Sequence, residues 1–196
     1  KEGSNLRANE GATSEDAMTV SKTFKAYDIE DIIDITAAAD WNLQSATYYY
    51  TGMGKGDEIS NYSYNYQVGT TNVKNTSVFF YGTTGQTAFL RASSVTDTEL
   101  AMSRSLSYKY DLTSSELASS TITSGAIDNL VDLASDTWYY GSTKGEEIAN
   151  YAYNYSLKKT STGAADRSVM KSTTVYFYKE GSNLRANEGA TSEDAM

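Results

Sequence analysis

The eighteen residues Lys1–Met18 (KEGSNLRANEGATSEDAM) return without a single change as Lys179–Met196. Identity over that length does not arise by chance. Because Lys1 and Lys179 stand 178 positions apart, the chain reads as one long period plus the tail of a preceding copy. A fixed long period is the mark of an array whose units must each leave room for the next.

An older and more diverged repeat lies inside that period. Lys55–Tyr66 (KGDEISNYSYNY) matches Lys144–Tyr155 (KGEEIANYAYNY), and Asn75–Gly82 (NTSVFFYG) matches Ser172–Lys179 (STTVYFYK). Arg91–Met102 (RASSVTDTELAM) then matches Arg185–Met196 (RANEGATSEDAM), with a longer hairpin loop, Ser156–Lys171, in the second copy. The expected organisation is a preceding repeat's tail over 1–18, a β-rich module over 19–102 and a second over 103–196. A duplicated end merely appended to the chain would not account for the inner layer.

Composition narrows the class. The 196 residues contain no Cys, His or Pro, but 17 Tyr. Disulfides and thiolate metal sites are excluded, and so is the commonest general base and transition-metal ligand. With 16 basic against 25 acidic residues the net charge is −9, which repels nucleic acid and favours solubility. No run approaches the ~18 apolar residues of a membrane span, and the start carries no signal-peptide pattern.

Strict alternation places the strands. Tyr62, Tyr64 and Tyr66 fall on one face, with Asn61, Ser63 and Asn65 on the other. The second copy repeats this with Tyr151, Tyr153 and Tyr155 against Asn150, Ala152 and Asn154. Period two predicts half-buried strands with the ring face packed and the small polar face outward. Further strands are expected at Val20–Tyr27, Thr47–Thr51, Asn75–Tyr81, Arg104–Tyr110, Thr137–Tyr140 and Ser172–Tyr178, linked as hairpins. Helical spacing at Ile127, Leu130, Val131 and Ala134, and again over Asp28–Ala39, predicts one short helix per module. Helical turns are also expected at Thr96–Met102 and Thr191–Met196. The fold class is mainly β: a tandem, elongated array of antiparallel modules.

The candidate chemistry is sparse. Asp57–Glu58 and Glu146–Glu147 recur at one loop-to-strand junction, but adjacent strand residues point to opposite faces, a poor geometry for paired catalysis. Together with the cluster Asp28, Glu30, Asp31 and Asp34 they offer at most a weak Ca²⁺ site; solvated turns with Lys55 or Lys144 as charge partners suit them better. The tyrosine rows fit sheet packing better than sugar stacking. Three Asn-x-Ser/Thr sequons, at Asn61, Asn75 and Asn154, mark candidate glycosylation sites that would suit an exposed fibre. No nucleophile–base pair, phosphate loop or dinucleotide fingerprint is present, so no catalytic or cofactor-binding residue is expected.

The aromatic hairpins NYSYNY…NTSVFFYG and NYAYNY…STTVYFY resemble the Tyr-rich repeats of very large bacterial tandem-repeat surface proteins. They are also distantly similar to the repeats of RHS proteins, although the Tyr-Asp-x-x-Gly-Arg pattern of those repeats is missing. The resemblance covers about half of each module and carries over no functional residue. It implies a bacterial extracellular or cell-surface location. The expected role is structural: a filament, stalk or sheath whose partners are copies of itself and covalent glycans, without catalysis. The alternatives are an adhesin or carbohydrate-binding module with solvent-facing tyrosines, and a discrete subunit polymerising by strand exchange.

Overall fold

Alternating Tyr and small polar residues at Ile59–Tyr66 seed a sheet, because rings on one side and Asn or Ser on the other satisfy a pleat with one covered face. A computed structural model describes residues 7, 10–25, 35, 42–83, 89–119, 122, 132–158, 167–179 and 181–194. Among these, the strands are β1 (Val20–Phe24), β2 (Leu43–Tyr50), β3 (Ile59–Tyr66), β4 (Val73–Tyr81), β5 (Leu90–Arg91), β6 (Met102–Tyr108), β7 (Leu133–Tyr140), β8 (Ile148–Lys158) and β9 (Arg167–Val175). The protein is mainly β. All nine strands belong to one antiparallel sheet, ordered β1-β2-β3-β4-β6-β7-β8-β9, with β5 paired to the end of β4.

The sheet runs without a break across Met102–Ser103, where the two repeat halves meet. Irregularities recur at matching positions in both halves. Register shifts fall at Tyr48/Tyr49 and Trp138/Tyr139, and again at Asn65/Tyr66 and Asn154/Tyr155. Asn42 and Asp132, each just ahead of a strand, adopt φ of 55° and 60°. Asn and Asp tolerate that left-handed region better than most residues. Their carbonyls each accept a 2.8 Å hydrogen bond, from the N–H of Lys25 and of Lys109.

Several expectations need correction. Ala134 lies in β7 rather than in a helix, because the β pairing to β6 starts one residue earlier, at Leu133. Residues 127–131 and most of Asp28–Ala39 lie outside the described residues. A short helix among the described residues, α1 (Ser114–Leu117), is started by a Thr113–Glu116 capping box. A turn does form within Thr96–Met102, closed by the Leu100 N–H donating to the Asp97 carbonyl at 3.2 Å; a 3-10 turn precedes it at Ala92–Ser94, and Met102 already opens β6. The loop Ser156–Lys171 is shorter than expected: β8 continues to Lys158 and β9 begins at Arg167, with no Gly or Pro among 156–158 or 167–171 to interrupt them. The small-residue face is also less open than expected. Ser63 and Ala152 are buried there, where the Tyr49 and Tyr139 hydroxyls reach Ser21 and Ser105 at 3.0 and 3.3 Å.

Candidate functional site

The largest core among the described residues sits where the two halves join. Val78 and Phe80 of β4 pack with Leu106 and Tyr108 of β6, Leu133 of β7, and Leu112, Leu117 and Ile122 from the crossover above them. Val78, Phe80, Leu106 and Tyr108 are fully buried. The crossover is pinned by Thr76, whose hydroxyl donates to the Tyr110 carbonyl at 2.7 Å and accepts from the Leu112 N–H at 3.1 Å. The Tyr64 hydroxyl donates to the Leu112 carbonyl at 2.6 Å. The junction is therefore a core built from both repeats, not a contact between finished surfaces.

The segment Phe89–Met102 ties the halves together at its two ends. At the first end, Arg91 Nη2 donates to Asn61 Oδ1 at 2.6 Å, and the Tyr81 hydroxyl donates to the Ser60 carbonyl at 2.6 Å. Burial pushes the Arg91 guanidinium down to about 10, still charged at neutral pH. At the second end, Glu147 accepts the Met102 N–H at 3.2 Å, the Lys144 N–H donates to the Glu99 carbonyl at 3.2 Å, and Leu100 bridges Thr143.

Each identical eighteen-residue copy reproduces one of those ends. In the C-terminal copy, Arg185 Nη2 donates to Asn150 Oδ1 at 3.2 Å and Leu184 pairs with Tyr178, whose hydroxyl donates to the Ala149 carbonyl at 2.5 Å. In the N-terminal copy, the Met18 N–H donates to Glu58 Oε1 at 3.0 Å, as Met102 does to Glu147. Local folding agrees as well: Thr13 donates to Asp16, and Thr191 to Asp194, through both main-chain N–H and hydroxyl.

The second members of the acidic pairs thus hold main-chain donors from the joining segment, a role that sequence reasoning missed because the partners lie 40 and 45 residues away. Partial burial pushes the Glu58 carboxyl up. The N–H groups of Glu58, Met18 and Gly56, with the Lys144 charge, outweigh this and leave it below the usual value. A depressed carboxyl stabilises the fold above its unfolded value and loses that contribution as pH falls through its folded one. A Glu58→Gln variant is accordingly expected to melt below the parent at pH 7, with the two melting curves converging below about pH 4. A gap that persists undiminished in acid would refute this role.

The aromatic rows lie on the same face as the core. Tyr48 stacks on its cross-strand partner Tyr62 at 4.8 Å, and Tyr64 meets Tyr62 and Tyr66 edge-on at 5.3 and 6.4 Å. In the second half Trp138 stacks on Tyr151 at 5.8 Å, and Tyr151 meets Tyr153 at 5.3 Å. The rings, Tyr155 included, are half-buried. Burial pushes the Tyr66 phenol up to about 12.

The sequon asparagines all lie in strands. Asn61 holds Arg91, Asn75 accepts from Asn65 at 2.6 Å, and Asn154 donates to Thr174 at 3.0 Å in an exposed position. Among the described residues no cluster of three potential metal ligands occurs, and no helix is long and apolar enough to cross a membrane. The cluster from Asp28 to Asp34 lies outside the described residues. A cavity of about 350 Å³ opens beside the junction, lined by Asn61, Tyr62, Arg91, Ser93, Ser114 and Leu117 among others. No protein-family model, curated protein or solved structure matches this chain.

Proposed function

We propose that this chain is a structural repeat unit, one period of a filament, stalk or sheath on the outside of a bacterial cell, with no catalytic role. One observation carries the reading. The intact joining segment Phe89–Met102 makes contacts at two ends, and each eighteen-residue copy makes one of those two sets. A shared segment between successive units would make both. The Tyr-rich hairpins and their resemblance to bacterial surface repeats support the extracellular location. The acidic surface suits a fibre that must not collapse on itself.

The geometry sets the expected dimensions. Eight strands at a spacing of about 4.8 Å would advance such a fibre by roughly 38 Å per unit. At a twist of about 20–25° per strand, each unit would turn by roughly half a revolution. Electron microscopy of the native material, with a denaturing gel of its intact polypeptide, tests this. A mass several times that of one unit and a period near those values are expected. A single-unit mass with no fibres would overturn the reading.

A glycan-binding adhesin is the second reading, favoured by one observation: Tyr62, part-exposed in a row with Tyr48, Tyr64 and Tyr66, lines the same cavity as Arg91. Binding on a glycan panel, lost in Tyr64→Ala, would support it.

A further inference from the structure

We propose that the sheet's last edge, β9 with the two residues after it, receives β1 of a second copy of this unit, in the register by which β4 receives β6. The proposal rests on the repeat-unit reading and names its contact surface.

Three observations converge on this edge. Val175 and Phe177 occupy the positions of Val78 and Phe80, since Tyr62 pairs with Val78 and Tyr151 with Val175. Yet Val78 and Phe80 are fully buried, while Val175 and Phe177 are 39 % and 52 % exposed. Contiguous apolar side chains left open on a strand edge mark a surface that something covers. What covers their equivalents is β6, and the repeat equivalent of β6 is β1, the strand at the opposite end of the sheet order. Finally, Met18, at the head of β1, is 48 % exposed, whereas its equivalent Met102 pairs with Tyr81.

The register follows from the observed junction. Ser77 faces Ser107, Val78 faces Leu106 and Phe80 faces Arg104. Carried to the equivalent positions, Thr174 faces Thr23 of the second copy, Val175 faces Lys22 and Phe177 faces Val20. Lys22 replaces Leu106; its methylene stem covers Val175 while its ammonium reaches water. Where two separate chains meet, the incoming Lys1–Met18 and the outgoing Lys179–Met196 claim one position. The incoming residues ahead of Met18 yield, while Met18 keeps its bond to Glu58, as Met102 keeps its bond to Glu147 while pairing with Tyr81.

The chain has no cysteine, so introduced thiols report this pairing without background. Facing strand residues fall within the Cα separation of about 4.4–6.8 Å that a disulfide spans, whereas a two-residue offset does not. Full-length Thr23→Cys and Thr174→Cys proteins would be mixed and oxidised. A mixed dimer is expected at least about tenfold faster than from either protein alone, or from Thr23→Cys with the offset Ser172→Cys. The double variant Thr23→Cys/Thr174→Cys should give a ladder of oligomers. Phe177→Lys, at an exposed position, should leave the melting curve unchanged yet abolish the mixed dimer.

Preferential Thr174→Cys homodimers, or no enhancement over the offset control, would overturn the edge assignment. If fibres still form in the native material, that failure leaves the repeat-unit reading standing. If the native polypeptide is a single unit and forms no fibres, both fall.

Discussion

Asp136→Ala is expected to lower the free energy of unfolding by about 3–5 kcal/mol, read by denaturant titration. Asp136 is fully buried and accepts from Arg104 Nε and Nη2 at 2.7 and 2.8 Å. The guanidinium lies 5.0 Å from the centre of the Phe89 ring and 4.9 Å from that of Trp138. Removing the carboxylate takes away the guanidinium's counter-charge in a site too closed for water to compensate. The repeat shows that the site does not require charge. In the first half Val20 stands where Arg104 does, and Ala46, also fully buried, stands where Asp136 does. Replacing a buried ion pair by apolar residues of similar volume is often neutral. The double variant Arg104→Met/Asp136→Leu should therefore recover most of the loss. A double variant no more stable than Asp136→Ala would show that the pair, and not merely its balance, holds the junction.

That ion pair also marks where sequence reading stops. The sheet was legible because each strand announces itself locally: Tyr62, Tyr64 and Tyr66 alternate with small residues, and a neighbour's identity hardly alters the period. Arg104 and Asp136 meet across two strands, 32 positions apart, at sites where the sister repeat has Val and Ala. Aligning the halves averages them away. The clue was a charged residue in phase with Leu106 and Tyr108 on a covered face. Glu58 and Glu147 were hidden differently. Their pairing with a nearby Lys was a reasonable expectation, but their partners are backbone N–H groups, which carry no sequence signature. Ala134 departs from the helical spacing because Leu133 already pairs with Tyr108, and tertiary pairing overrides a short local period.

The two ends of the sheet allow one substitution to be made in two contexts. Phe80→Ala is expected to cost about 3–5 kcal/mol, because a fully buried ring packed against β6 would leave a cavity. Phe177→Ala, at the equivalent position, should stay within about 0.5 kcal/mol in the isolated chain, where the ring is 52 % exposed. Sequence alone would rank the two alike, since both are the Phe of a Val-aromatic-Phe-Tyr run. What separates them is whether a following module is present to bury the ring. In assembled units the cost of Phe177→Ala should rise toward that of Phe80→Ala, measured as the denaturant midpoint of fibres against that of single chains. Equal small costs in both states would mean that this edge stays open, and that the units of a fibre meet elsewhere.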